Sequence, residues 1–327
     1  TEEGSFRPDI NILINGMPLA FLEVKKPNNE GGIQKEFDRM VNNRLKNKEF
    51  KKYFNLIQIV SFSNNMDYED DDSADAEDVK CGSFYTTPNG VNTSFSFFRE
   101  DIPGYHNTYR YLPVDRKTVE SILTEEKYDI SEIDTPEFQT NMSEFTPCNR
   151  FITSLFDKER LLYFIHYGMM YLMQTKKIID PLTQKIEEIP ILQKHIMRYP
   201  QFFATRAILM RLDNGGKGGI IWHTQGSGKT ALSAFSNRIL SDYYAKKGIA
   251  FKQFFIVDRL DLMRQASDEF AMRNLDVINC STKEEFGKEL IKPLTKTKDD
   301  AIGSVCVVNI QRIDPEKMPK VSNDYDV

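Results

Sequence analysis

Eight consecutive residues constrain this chain more than any other stretch: His223-Thr224-Gln225-Gly226-Ser227-Gly228-Lys229-Thr230. They follow the apolar run Gly219-Ile220-Ile221-Trp222 and precede the helical pattern Ala231-Leu232-Ser233-Ala234-Phe235, so the order predicts strand, glycine-rich loop, helix. Glycines let the backbone wrap closely, so that several N–H groups point at one phosphate. A helix N-terminus adds partial positive charge. Lys229 is placed to reach the β- and γ-phosphates of a nucleotide such as ATP, and Thr230 to ligate its Mg²⁺, with Thr224, Gln225, Gly226, Ser227 and Gly228 forming the cradle. The general pattern has a glycine where this chain has His223; Gly226 and Gly228 still flank the tightest part of the loop. A plain glycine-rich turn before a helix is the alternative, and the flanking strand and helix patterns weigh against it.

A length of 327 residues predicts two domains, each with its own core. Composition is ordinary for a globular chain, with 40% hydrophobic and 28% charged residues. No apolar run approaches the length of a membrane span and no signal peptide opens the sequence. Cys81, Cys148, Cys280 and Cys306 are far apart and read as reduced, packed thiols of a cytoplasmic protein. A net charge of −5 argues against a uniformly basic nucleic-acid binder but leaves room for a local basic groove. The chain opens on Thr1 and stops at Asp324-Tyr325-Asp326-Val327, which reads as an excised piece of a larger protein.

A second constellation lies near the N-terminus. Pro8-Asp9-Ile10-Asn11-Ile12-Leu13-Ile14 reads as a strand, and Leu19-Ala20-Phe21-Leu22-Glu23-Val24-Lys25-Lys26-Pro27 as another, with the turn signal Asn15-Gly16-Met17-Pro18 between. A period of two puts Glu23 and Lys25 on one face of a half-buried sheet and Leu22 and Val24 on the other. Parity then decides where Asp9 goes. It shares the face of Glu23 if the loop holds three residues, Asn15, Gly16 and Met17; a two-residue Asn-Gly turn puts it on the wrong face unless a bulge intervenes. Converging there, Asp9 and Glu23 would hold a divalent cation, with the Val24 carbonyl as a further oxygen ligand. The metal would polarise a phosphodiester and lower the pKa of a bound water, and Lys25 would orient that water or stabilise developing charge. The alternative is a solvated Glu-Val-Lys pair on an edge strand.

Pro8-Asp9…Glu23-Val24-Lys25 resembles the PD-(D/E)xK nuclease core, and its position ahead of a Gly-Ser-Gly-Lys-Thr motor resembles the R (motor and endonuclease) subunit of type I restriction enzymes. The resemblance runs in order from Asp9 to about Arg312. It implies that Gln201, in Arg198-Tyr199-Pro200-Gln201, reads adenine as in superfamily 2 helicases. It also implies that Arg259, Arg264 and Gln265, in the stretch Phe254 to Gln265, lie near the DNA backbone, and that Val307 to Arg312 forms the next strand and a DNA-facing turn. Departures accompany it. Where relatives carry Gln-x-x-x-Tyr, the nearest placement here gives Arg39 and Asn43. An early acidic residue of the nuclease would precede Thr1, and the Asp-Glu-x-His segment and second motor lobe with its arginine finger would follow Val327.

Elsewhere the signals are weaker. The acidic run Asp67 to Asp78 lacks calcium-loop spacing and reads as a solvated loop. Phe84-Tyr85, Phe95 and Phe97-Phe98 read as strands completing the nuclease sheet rather than a stacking platform for single-stranded DNA. His106, His166 and His195 suggest no role. From Asp157 a helical period runs through Leu161, Leu162, Phe164, Ile165, Met169, Leu172 and Met173, and the mixed turn signals from Thr175 to Pro190 place a domain boundary there. Beyond it, helices alternate with strands Gly219–Trp222, Gln253–Asp258, Asp276–Cys280 and Ser304–Asn309, which predicts a parallel sheet.

The expected fold is α/β: a PD-(D/E)xK restriction-endonuclease-like domain with a mixed sheet over residues 1–176, then an incomplete RecA-like P-loop domain over 177–327. The function the resemblance implies is ATP-dependent translocation on double-stranded DNA coupled to Mg²⁺-dependent cleavage, with methyltransferase and specificity subunits as partners and negligible ATPase activity in this piece alone. Two alternatives stand beside it: a superfamily 2 translocase whose nuclease-like domain only binds DNA, and a non-catalytic fragment that binds nucleotide or a partner.

Overall fold

The computed structural model describes residues 6–26, 32–64, 83–88, 90, 115–141, 154–179, 186–291 and 303–313. The chain divides into two compact units, Thr1–His166 and Tyr167–Val327. Among the described residues no helix is long and apolar enough to cross a membrane.

The first unit is a mixed sheet with helices. In chain order come β1 (Ile10–Ile14), β2 (Met17–Val24), α1 (Gly32–Arg39) continued by a π-helical turn (Met40–Arg44), α2 (Lys51–Leu56), β3 (Ile59–Ser63) and β4 (Ser83–Thr86). The spatial order is β1-β2-β3-β4. Strands β1 and β2 form an antiparallel hairpin, β2 and β3 run parallel, and β3 and β4 are antiparallel. A parallel neighbour requires a crossover, and α1 and α2 supply it. Helix α1 offers Ile33 and Phe37, and the π-helical turn Met40, to one core with Phe21, Phe54, Ile57, Val60, Phe62 and Phe84. Every residue of β3 is buried, as in a strand covered on both faces. Helices α3 (Arg116–Glu125), α4 (Pro136–Asn141) and α5 (Lys158–Tyr167) follow.

The second unit begins with an antiparallel pair, β5 (Met169–Ile179) and β6 (Ile186–Ile196), in unbroken register from Met169↔Ile196 to Ile179↔Ile186. Then come α6 (Tyr199–Asp213), α7 (Lys229–Lys246), β7 (Gln253–Val257), α8 (Leu260–Ala271), β8 (Val277–Cys280), α9 (Lys283–Ile291) and β9 (Val305–Asn309). Strands β7, β9 and β8 pair in parallel in that spatial order, with fully buried β9 in the middle. A mixed sheet in one unit and a parallel helix-linked sheet in the other match the expected α/β class.

Three expectations differ from the observed fold. Helical spacing does not persist through Met173. The helix ends at Tyr167, and beyond Gly168 the burial alternates, Met170 and Leu172 inside against Tyr171 and Met173 outside, because these residues pair with β6. The boundary placed at 176/177 therefore falls inside β5, while the compact units meet at His166 and Tyr167. Finally, Gly219-Ile220-Ile221-Trp222 forms no strand: Ile220 is 92% and Trp222 91% exposed. A strand needs a neighbour for its N–H and C=O groups, and among the described residues β7-β9-β8 pairs only within itself. The acidic run, Phe95, Phe97-Phe98, Cys81, Cys148 and His106 lie outside the described residues.

Candidate functional site

Asn15 and Gly16 adopt left-handed backbone, φ 50° and 77°, and make a two-residue turn that pairs Ile14 with Met17 and Leu13 with Pro18. A ladder continued in that register would set Asp9 opposite Leu22. Instead the register slips between Ile12 and Leu13, leaving Leu19 as the extra residue of a bulge, so that Ile12 pairs with Ala20, Asn11 with Phe21 and Ile10 with Leu22. The three-residue loop is thus replaced by a turn plus a bulge of the same parity, which carries Asp9 to the side of Glu23. The Leu19 carbonyl accepts the Gln58 N–H at 2.7 Å, tying the bulge to the start of β3. Asp9 Oδ2 accepts the Val24 N–H at 2.8 Å.

Glu23 is 2% exposed and β2 lies between β1 and β3, so it is neither solvated nor on an edge. Lys25 Nζ lies 3.7 Å from Glu23 Oε2 and 3.3 Å from Glu36 Oε2. Arg44 Nη1 lies 3.3 Å from Glu23 Oε1, a hydrogen bond, and 2.7 Å from Glu36 Oε1. That shorter approach is not aligned as a hydrogen bond, leaving Glu36 Oε1 without one, so charge alone holds the contact. The Arg44 guanidinium also sits over the Phe6 ring, 4.4 Å from its centroid. Burial pushes the Glu23 carboxyl up to about 7; Asp9 and Glu36 push the same way, and Arg44 and Lys25 oppose them. The Tyr53 hydroxyl, bonded to Asn11 Oδ1, is raised by burial and by the Glu23 charge.

Asp9, Glu23 and Lys25 therefore come together as the spacing predicts. Glu36 and Arg44 were missed. Their signal lay in the stripe of α1 and the turn that continues it: Ile33, Glu36, Phe37 and Met40 are all buried, and an acid in an apolar stripe calls for a cation. Of Arg39 and Asn43, the residues nearest the Gln-x-x-x-Tyr placement, Arg39 reaches the cluster through Glu36. Arg39 is half-exposed, its Nη1 3.8 Å from Glu36, and Asn43 lies in the π-helical turn. Among the described residues no three His, Cys, Asp or Glu side chains converge as a metal-binding group.

In the second unit the glycine loop runs into α7. Gly226 and Gly228 have φ of 79° and 81°, which L side chains rarely adopt. Gly228 is the N-cap of the 18-residue α7, and no side chain caps that end. Its leading N–H groups thus lack a side-chain acceptor, as a phosphate cradle requires. Thr224, Gln225 and Lys229 are exposed, Thr230 is half-buried, and buried Ser227 bonds back to the Thr224 carbonyl at 2.8 Å. Gln201 is 1% exposed in the first turn of α6; its Oε1 accepts the Arg198 N–H at 2.9 Å and its Nε2 donates to the Gly228 carbonyl at 3.1 Å. The glutamine expected to read a base braces the loop. Burial, then Lys229, holds the His223 imidazole below its ordinary range. Arg259, Arg264 and Gln265 are exposed at and beyond the start of α8.

Two family models match separate parts of the chain. Residues 1–69 match the family described as type I restriction enzyme R protein N terminus, and residues 200–327 the SWI2/SNF2 ATPase family. A proposed type I restriction enzyme endonuclease subunit of Methanocaldococcus jannaschii is 27% identical over 271 residues, covering 80% of this chain and 19% of that protein. A type I restriction enzyme endonuclease subunit of Staphylococcus aureus is 26% identical over 267 residues, covering 81% and 20%. A second M. jannaschii protein proposed for the same role is 22% identical over 323 residues, covering 95% and 25%. The chain spans about a fifth to a quarter of the length of these relatives.

Proposed function

We take as premise that the chain belongs to the type I restriction enzyme endonuclease-subunit family, with a SWI2/SNF2 ATPase region behind an R-protein N terminus, and we propose that it serves ATP-driven movement on double-stranded DNA coupled to cleavage of the backbone. The observation that carries the cleavage half is the bulged register, which sets Asp9 and Glu23 side by side with Lys25 beside them. A buried carboxylate pushed up to about 7, next to a second one, is an arrangement that a divalent cation stabilises. Asp9, Glu23 and the Val24 carbonyl would hold Mg²⁺, which when bound polarises the phosphodiester and acidifies a water. Lys25 would keep its ammonium against the attacking water and the charge growing on phosphorus. In the ATPase region the backbone of Thr224 to Gly228 and the α7 N-terminus would cradle the ATP phosphates, Lys229 would neutralise the β- and γ-oxygens, and Thr230 would hold Mg²⁺. Gln201, fastened to Gly228, would fix the loop that Lys229 follows.

DNA would be held chiefly through its phosphates, with Arg259, Arg264 and Gln265 as the contacts on the ATPase region, so binding weakens as salt rises. Methyltransferase and specificity subunits are the implied partners. Replacing Asp9 or Lys25 with Ala in the full restriction complex should abolish cutting while ATP turnover persists, measured as linear product and phosphate release in one reaction. Survival of cutting would overturn the site. One observation favours a second reading, a domain that binds DNA without cutting it: Arg44 already sits on Glu23. Under that reading Asp9→Ala leaves the behaviour of the complex unchanged.

A further inference from the structure

The motifs assign no task to Glu36 or Arg44, yet these two residues close a ring of charge behind the Asp9–Glu23 seat. Lys25 bridges Glu23 at 3.7 Å and Glu36 at 3.3 Å, and Arg44 bridges Glu36 at 2.7 Å and Glu23 at 3.3 Å. Both glutamates are buried, and a buried carboxylate without a cation is strongly unfavourable. Counting Asp9, and Arg39 with its Nη1 3.8 Å from Glu36, three carboxylates face three cations, so a divalent cation has to compete with side-chain counter-ions for Glu23. Arg44 donates to Glu23 Oε1, an oxygen that cation would share. Lys25, in contrast, lies nearer Glu36 than Glu23.

We propose that Glu36 and Arg44 are a positioning pair: Arg44 is the counter-ion that a divalent cation must displace from Glu23, and Glu36 is the anchor that receives Arg44 and keeps Lys25 from closing on Glu23. The proposal rests on the nuclease reading of the same site. It gives opposite signs to the two partners of one ion pair. Removing Arg44's charge frees Glu23 for metal; removing Glu36's charge sends both cations to Glu23 and opposes metal. A pair that only supported the fold would shift both variants in the same direction, together with the melting temperature.

The experiment is a calorimetric titration of the chelator-treated chain with Mn²⁺. In Arg44→Gln, whose amide can still donate to both carboxylates, the affinity should tighten roughly tenfold, the low end of what a neighbouring charge does to a carboxylate equilibrium. In Glu36→Gln it should weaken by a similar factor, and in Arg44→Lys, which keeps the charge, it should stay near the parent. Looser or unchanged binding in Arg44→Gln overturns the proposal, as does unchanged or tighter binding in Glu36→Gln. If Arg44→Gln does not fold, as judged by circular dichroism, Glu36→Gln decides alone. Asp9→Ala separates the two levels. Mn²⁺ heat that persists without Asp9 means the metal seat itself is wrong, whereas heat that depends on Asp9 but ignores Arg44 and Glu36 leaves the seat standing and removes the pair.

Discussion

The two candidate sites are built in opposite ways. The nucleotide cradle is one uninterrupted stretch from His223 to Thr230, and its geometry is local: two glycines with positive φ and a helix whose first N–H groups have no side-chain cap. The nuclease-like site draws Asp9 from the approach to β1, Glu23 and Lys25 from the end of β2, Glu36 from α1 and Arg44 from the turn after it. The first depends on what each residue is, the second on how strands register. A contiguous site is damaged by substitution, whereas a dispersed one is also damaged by a shift that changes no functional residue.

That contrast can be broken most severely by a deletion. Removing Ile12 from β1 should slip Asp9 onto the face of Leu22 and abolish Mn²⁺ binding and cutting. Removing Leu19, the bulged residue, should leave the partners of Asn11 and Ile10 unchanged and preserve both activities, at about 1 kcal/mol for the lost bond to Gln58. Equal effects of the two deletions in a metal titration would refute the register account. Next in size is Lys229→Ala, which should lower ATP turnover in the full complex roughly 10²–10³-fold, read as DNA-stimulated phosphate release.

A finer comparison lies within the glycine loop. Gly226→Ala and Gly228→Ala both place a side chain at positive φ, a strain of about 1–3 kcal/mol. A Cβ at Gly226 meets open space, whereas one at Gly228 falls 2.6 Å from Gln201 Nε2. Gly228→Ala should therefore melt lower and bind ATP more weakly than Gly226→Ala, and adding Gln201→Ala should recover part of the difference.

The smallest expected effect is in pH dependence, where the two units should respond oppositely. Glu23 has its carboxyl raised from 4.5 to about 7, so the native state holds the proton more tightly. Its contribution to stability is fully present below pH 4.5 and is lost as pH rises through 7. His195, against Phe235 and near Arg273, has its imidazole lowered from 6.5 to about 4, by burial first and then by Arg273 and Arg198. Its contribution is present above pH 6.5 and is lost as pH falls through about 4. In chelator-containing buffer, Glu23→Gln should flatten the neutral limb of the stability profile and His195→Phe the acid limb, as followed by thermal melts. Exchange of those limbs between the two variants would contradict the burial assigned to each group.

Legibility followed the same division. The glycine loop, α7, α8 and the alternation of helices with β7, β8 and β9 were readable because each depends on local spacing. The helical period assigned through Met173 was not a reliable guide, because a run of apolar residues fits either period until Gly168 and the pairing with β6 select one. The run Ile220 to Trp222 has strand composition but no partner in the sheet formed here, and composition alone makes no ladder. Glu36 was passed over because its meaning lies in Lys25 and Arg44, which the end of β2 and the turn after α1 bring to its side.

The amino-acid order by itself determined an α/β chain with a glycine loop opening a helix and a strand that ends in Glu23 and Val24 just before Lys25, because glycine conformation, helix ends and strand alternation are properties of near neighbours. Tertiary structure alone decided that Asp9 stands with Glu23 and that Lys25 and Arg44 each bridge Glu23 and Glu36. A bulge at Leu19 and a buried crossover set those distances, and buried charges must find their counter-ions wherever the packed core places them.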